Sequence, residues 1–504
     1  LHVTSLPGGH GVGDLGPAAE AFADFLARAG QRWWQMLPVG PSAAANSPYS
    51  SYSAFAGDPL LLSLDRLAQE GLLKPADLEP RPPSGPKADY AAAAAFKFAG
   101  FRKAFEAFGD ERSLEAFRRR RRHWLPGYAL FRALKDAHGQ APWWEWEQEL
   151  RDRRPEALVA ARRRLADEIR FREFLQYMFE RQWAALRAVT QGCGIGLIGD
   201  VPIFLSHDSA DVWEHPDLFQ LDERGRPLVV AGTPPDYFCR TGQLWGNPIY
   251  RWEEHRARGY DWWIQRLRAT FERFDAVRLD HFIGFARYWA VPAQAPTAEA
   301  GEWRPGPGAE LFEKVFAALG PIPLIAEDLG SVTPEVIALR DRFELPGMKV
   351  LQFSFGDEAD AVVLRDGKVP RRSVIYTGTH DNDTAVGWFG ERASPGGTRT
   401  AEQIARERAR VLACVGTDGR EIHWDLIELA HRSGANTAIV PAQDLLGLGS
   451  EARMNVPGRP EGNWEWRLAP GLPDEATAAR LRRLTEATDR ATPPPREAGA
   501  PRPP

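Results

Sequence analysis

Cysteine is scarce in this sequence. Cys193, Cys239 and Cys414 are the only three in 504 residues, and no two stand at a disulfide-framework or metal-knuckle spacing. That excludes a small cystine-stapled module and points to a reducing compartment, here the cytoplasm. No apolar run approaches the ~18 residues that span a bilayer, and no charged-then-apolar leader opens the chain, so no membrane role is expected. The first residue is Leu1 rather than Met, inside what reads as a strand, so some preceding sequence is expected. Neither charge dominates: 63 basic against 68 acidic residues give a net charge of −5, with no bulk drive toward nucleic acid. No His-x-His pair of the kind that marks metal-binding barrels is present. What the chain has in quantity is tryptophan, 18 copies. Many lie beside Gly, Pro or charged residues, where an aromatic platform for a flat ligand is more natural than a core-only role.

The hydrophobic pattern alternates strands with helices. Residues 1–7 read as a first strand. Gly8, Gly9, Gly11, Gly13 and Gly16 follow, but their spacing is not the dinucleotide-binding fingerprint. Residues 17–30 form an amphipathic helix and 31–40 a second strand, which makes a βαβ unit of a parallel sheet. Further strands near 198, 278, 325, 351, 376 and 439 join those near 3 and 35. They predict an α/β fold, a (β/α)8 TIM barrel with large, mainly helical insertions. On this reading residues 1–63 hold the first barrel strands and an active-site loop. Residues 64–191 are a mainly helical insertion with a Pro-rich linker at 80–86. Residues 192–491 complete the catalytic barrel, with loop insertions at about 206–252 and 284–320. Residues 492–504 are a Pro-rich tail expected to be disordered. Five consecutive arginines, 118–122, read as a solvated helix face rather than a nucleic-acid patch, with Glu115 and His123 beside them.

The most informative stretch is Phe274–Phe282, a short buried strand that ends on Arg278, Asp280 and His281. Alternation puts Arg278 and Asp280 on one strand face, and an arginine beside a carboxylate favours the ionised form. Taken alone, a structural ion pair and a poised nucleophile fit this pattern equally. Four strands, however, end in acids: Asp200, Asp280, Glu327 and Asp381. In a barrel such ends converge on one mouth. Two chemistries suit the cluster. One is a divalent metal site, which the missing His pairs count against. The other is glycosyl transfer with one carboxylate as nucleophile and a second carboxyl as acid/base, which aromatic-rich loops over the mouth favour.

At this point the motifs carry a family resemblance. Thr4–Gly8, Ser47–Tyr49, Ser53–Gly57, Gly199–Pro202, Trp245–Pro248, Arg278–Phe282, Ala326–Gly330, Gly378–Asn382, Pro441–Gly447, Glu451–Asn455 and Gly462–Trp464 together resemble the amylomaltases (4-α-glucanotransferases, or disproportionating enzymes) of the α-amylase superfamily. The resemblance covers nearly the whole chain. It implies that Asp280 is the nucleophile, Glu327 the acid/base and Asp381 the third carboxylate. Tyr49, Asp200, Arg278 and His380 would line the same sugar subsite, with Trp245, Ser47 and Asn247 as further substrate-binding residues. It implies maltodextrin, amylose or glycogen-derived α-1,4-glucans as substrates, and no metal, organic cofactor, nucleic acid or obligatory protein partner. An α-amylase-type hydrolase and a silent glucan-binding protein are the rival readings.

The chain departs from the family pattern in three places. Ala43–Ala45 stand where glycines and often a tyrosine are usual. Cys239-Arg240 replaces a small residue and an acid, and Val3 replaces a proline. None touches the three carboxylates, so the changes bear on the transfer-to-hydrolysis ratio and product size rather than on activity itself.

Overall fold

The computed structural model describes residues 1–8, 10–82, 85–235, 240–356, 369–392, 400–459 and 461–491. The Pro-rich tail, Gly9 and Cys239 lie outside the described residues. The strands in chain order are β1 (Trp33–Gln35), β2 (Gly196–Pro202), β3 (Val229–Thr233), β4 (Gln243–Pro248), β5 (Ala276–Asp280), β6 (Arg287–Pro292), β7 (Glu302–Pro305), β8 (Leu324–Ala326), β9 (Gly347–Val350), β10 (Ser373–Tyr376) and β11 (Thr437–Ile439). Seven of them, in the order β1-β2-β5-β8-β9-β10-β11, form one parallel sheet. With helices between the strands, this is a nearly closed barrel of the TIM type with helical insertions.

The alternation along each barrel strand explains both the core and the site. Ile198, Ala276, Ile325, Met348, Val350, Val374 and Tyr376 pack together in one apolar cluster, while Val277 and Leu279 join the larger core shared with the helices. Ala276, Arg278 and Asp280 therefore share a face, as the period of two requires. The apolar layer of Ile198 and Ala276 gives way one step later to Asp200 and Arg278. The β2–β5 register sets Asp200 opposite Arg278, and the β5–β8 register sets Leu279 opposite Ala326. The next residues on those two strands are Asp280 and Glu327.

Two strand expectations need correction. Residues 1–7 do not form a ladder strand. Val3–Ser5 is a 3-10 turn whose Val3 carbonyl accepts from the Leu6 N–H. Val3 and Leu6 are fully buried, and composition alone does not separate a buried turn from a buried strand. The segment sits where an eighth strand would close the barrel. The Trp34 indole donates to the Leu1 carbonyl at 2.7 Å, and Leu1 and His2 line one cavity with residues of both β1 and β11. The strand expected around residue 351 ends at Val350, and Leu351–Phe353 is a 3-10 turn.

Helices occupy most of the span between β1 and β2. The longest, Ala166–Gly192, buries Phe171, Phe174, Leu175, Met178, Phe179, Trp183 and Leu186, a three-and-four spacing that marks one apolar stripe. Two amides on the same helix hold the barrel side. Gln176 both accepts from the Gly57 N–H and donates to the Gly57 carbonyl, each at 2.8 Å, and Gln182 treats Ser63 the same way. The arginine run ends the helix Glu111–Arg120, where Arg118 and Arg119 pair with Glu115, and Arg120 and Arg121 with Glu180. A second, antiparallel sheet in the order β4-β3-β6-β7 is built from the loops after β2 and β5. No helix among the described residues is long and apolar enough to cross a membrane.

Candidate active site

The centre of the site is Arg278, buried at 5% exposure on β5. Its Nη1 lies 2.9 and 2.8 Å from the two Asp200 oxygens and 2.8 Å from Asp280 Oδ1. Burial pushes the Asp200 carboxyl up, and the adjacent Arg278 guanidinium opposes that rise. Burial works against the charge on Arg278, but Asp200 and Asp280 more than offset it and hold its pKa well above the ordinary value. The Tyr49 hydroxyl donates to Asp200 Oδ2 at 2.8 Å, so Asp200 is committed on both sides. Asp280 keeps its second oxygen clear of Arg278 and is more exposed than Asp200.

Glu327 stands on the neighbouring strand in a different environment. Its backbone extends the ladder, accepting from Phe282 N and donating to the Leu279 carbonyl. Its carboxyl accepts from His281 N at 2.6 Å and from Leu329 N at 3.0 Å. Burial pushes its pKa up to about 8, with the negative charge of Asp280 adding to the rise and Arg278 opposing it. At neutral pH this carboxyl is therefore protonated. His281 carries a φ of +51°, a left-handed conformation uncommon for a residue with a Cβ, and this turn coincides with its N–H meeting Glu327. Burial pushes the His281 ring down to about 4, which leaves it neutral.

Asp381 follows β10. Its Oδ1 accepts from Asn455 Nδ2 at 2.6 Å, its carbonyl accepts from Arg453 at 2.6 Å, and its Oδ2 lies 3.4 Å from His380 Nε2. The His380 ring stacks on Tyr49 at 5.0 Å, and Trp464 packs against both rings. Asp200, Tyr49, Arg278, Asp280, His380 and Asp381 thus form one chain of direct contacts, and His281 joins Glu327 to Asp280. Trp245, on β4, is 37% exposed and meets the His281 ring edge-on at 4.9 Å. Ser47 and Asn247 turn inward instead: Ser47 Oγ accepts from Tyr49 N at 3.3 Å, and Asn247 donates to the Leu205 carbonyl at 2.7 Å. Asn455 and Trp464 lie in the Glu451–Asn455 and Gly462–Trp464 motifs, which carry no strand-end signal for the site. Asn455 and Asp381 are separated by 74 positions in the sequence and meet only through the fold. Among the described residues, no cluster of three or more His, Cys, Asp or Glu side chains is arranged to hold a metal ion.

A parallel barrel whose strand ends gather a carboxylate paired with arginine and a buried carboxyl with a raised pKa suits chemistry on glycosidic bonds. Comparison with known proteins makes this specific. The family model described as 4-alpha-glucanotransferase matches residues 1–473. The 4-alpha-glucanotransferase of Thermus thermophilus is 50% identical over 501 residues, covering 97% of this chain and 98% of the relative. That of Synechocystis is 47% identical over 96% of both. The solved structure of an amylomaltase from Streptococcus agalactiae in complex with acarbose superposes with a TM-score of 0.93 at 34% identity, over 98% of this chain and 99% of that one. The chain belongs to the 4-alpha-glucanotransferase family, enzymes that act on α-1,4-glucans.

Proposed function

We propose that this site moves α-1,4-glucan segments between maltodextrins by a retaining double displacement, with Asp280 as nucleophile and Glu327 as acid/base. The observation that carries this reading is the contrast between the two carboxyls on adjacent strands. Asp280 Oδ1 is held by the Arg278 guanidinium at 2.8 Å, whereas burial pushes the Glu327 carboxyl up to about 8. In the first step Asp280 attacks the anomeric carbon while Glu327 gives its proton to the glycosidic oxygen. The bond to the leaving glucan breaks, and a β-linked glucosyl ester forms on Asp280. In the second step Glu327, now ionised, takes the proton of an incoming glucan 4-hydroxyl. That oxygen displaces Asp280, and two inversions restore the α-linkage.

Asp381, held by Asn455 and beside His380, is placed to accept hydrogen bonds from sugar hydroxyls that tighten as the ring flattens. Tyr49, Asp200 and His380 line the same subsite, and Trp245 offers an exposed aromatic face for the acceptor glucan. Ser47 and Asn247 act by fixing the loops that carry Tyr49 and Trp245. Maltodextrins, amylose and glycogen-derived glucans are the substrates on this reading. We place the reaction in the cytoplasm, a reading supported by the free thiols of Cys193 and Cys414.

Incubation with maltotriose tests the proposal. Disproportionation gives longer maltodextrins plus glucose at constant total reducing ends. A rise in reducing ends in step with substrate loss would make water the acceptor and reject transfer.

A further inference from the structure

A cavity of about 250 Å³ lies away from the catalytic carboxylates, and none of Asp280, Glu327 and Asp381 lines it. It opens between the helices Leu125–Ala137, Ala210–Glu214 and Asp261–Phe271. Its apolar wall is aromatic: Phe55, Trp124 and Trp262 pack around one another, with Phe55 near-parallel to Trp124 and edge-on to Trp262. Its polar wall holds Asp211, Glu214 and the Tyr128 hydroxyl. Tyr128 is 2% exposed. His255 also lines the cavity at 1% exposure, and neither of its buried ring nitrogens has a hydrogen-bond partner among the described residues. A buried polar atom without a partner costs free energy unless something in the cavity completes it.

The charge around the cavity is balanced. Asp211, Glu214 and Asp261 face Arg258 at the rim, Arg153 beside Glu214, and Arg266 over the Trp262 ring. Burial pushes both the Asp211 and Glu214 carboxyls upward, toward the neutral form. Such a site favours a neutral ligand rich in hydrogen-bonding groups over an ion. Aromatic faces opposite hydroxyl-seeking carboxyls suit a polyhydroxylated ring, apolar on its faces and polar at its edge. The volume falls short of the roughly 300 Å³ at which pockets for drug-sized ligands begin, so it accommodates a single ring.

We propose that this cavity is a second binding site, separate from the catalytic cleft, that takes one neutral hexose-sized sugar ring. The inference rests on the glucan reading of the cleft only in the choice of probe, since glucose is the smallest product of maltotriose disproportionation. The occupant would touch the loop that carries Tyr49, because Ser53 lines the cavity and the Ala54 N–H donates to Asp211 at 2.8 Å.

The test is saturation-transfer NMR with D-glucose on three proteins. These are the wild type, a cavity variant carrying Tyr128→Phe with Glu214→Gln, and a cleft variant carrying Asp381→Asn. Glucose signal should persist in the cleft variant and fall roughly fivefold or more in the cavity variant, which loses two polar contacts. Maltotriose turnover by the cavity variant should match the wild type, so a failed cleft reading shows separately as absent turnover in the wild type. Tyr128→Phe alone, the milder change, should still weaken the signal about twofold or more. A cavity variant that keeps the wild-type signal, or a cleft variant that loses it, overturns the site. Displacement of glucose by choline at lower concentration than by another hexose would overturn the neutral-ring assignment.

Discussion

The alkaline limb of the pH–rate profile is where the proposed division of labour can fail. Burial raises Glu327 to about 8 from an ordinary value of 4.5. An acid with that pKa is about nine-tenths protonated at pH 7 and about one-tenth at pH 9. The first displacement needs the proton, so kcat/KM for maltotriose should bend near pH 8 and then fall about tenfold per unit. The assay is glucose release in the initial-rate regime across the range. A maltotriosyl fluoride donor supplies the internal control, because fluoride leaves without protonation. With that donor the limb should flatten. Glu327→Gln, which loses about 10²- to 10⁴-fold on maltotriose, should recover most of the deficit in the first displacement. Stability supplies a second readout. The folded-state pKa is raised, so the stability tied to this group is whole below the unfolded value and is lost as pH rises through the folded one. At about 1.4 kcal/mol per unit, the wild type should lose roughly 2–3 kcal/mol between about pH 6 and 8 that Glu327→Gln does not. A kcat/KM that stays flat to about pH 9.5, or an unchanged limb with the fluoride donor, would refute Glu327 as the general acid.

Three other perturbations separate positioning from packing. Asn455→Ala removes the 2.6 Å hydrogen bond to Asp381, a charge-assisted contact worth about 1.5–3 kcal/mol, so kcat/KM should drop about 10- to 100-fold with the melting temperature nearly unchanged. Trp245→Ala should raise the KM for acceptor glucan and increase the reducing-end yield per turnover, because the exposed face that recruits sugar over water is lost. Lys97 is fully buried, with its ammonium 3.0 Å from Asp14 and 2.8 and 2.9 Å from the Leu60 and Leu62 carbonyls. Lys97→Met leaves the buried Asp14 charge without its main partner and should cost about 3–5 kcal/mol in urea unfolding, with turnover of the folded fraction preserved.

The parts of the site that follow from strand periodicity were legible before any coordinates. Asp200, Arg278, Asp280 and Glu327 lie at the ends of short apolar runs, and a parallel barrel gathers such ends at one mouth. The Arg278–Asp280 pairing followed from the period of two alone. What was not legible depended on turns and on distance. Residues 1–7 have strand-like composition, yet the Val3–Ser5 turn is held by the Gly13 N–H to the Thr4 carbonyl, a contact no local pattern encodes. Asn455 and Trp464 reach the site from loops with no strand to index them. Ser47 and Asn247 sit in the motif runs that carry the family resemblance, and each also ties its own loop. Sequence motifs do not reveal such loop ties, which depend on the turn each residue occupies.

On the proposed mechanism, the surroundings that set the pKa of Glu327 suit it to serve first as acid and then as base. Beside burial, Asp280 raises its pKa and Arg278 lowers it. Formation of the glucosyl ester consumes the Asp280 charge, since its oxygen is now bonded to carbon. The part of the Glu327 rise that comes from Asp280 then disappears, while burial and the attraction of Arg278 for a carboxylate remain. Arg278 also retains Asp200, fixed by Tyr49, so it does not move away when its other partner is neutralised. The pKa of Glu327 therefore falls at the moment its proton has left, and the ionised carboxylate persists until an acceptor hydroxyl arrives. When that hydroxyl displaces Asp280, the negative charge returns to the nucleophile and Glu327 is again driven to hold a proton. On this proposal, Asp280 and Arg278 beside Glu327 on adjoining strand ends couple the covalent state of Asp280 to the protonation of Glu327, with no moving part required.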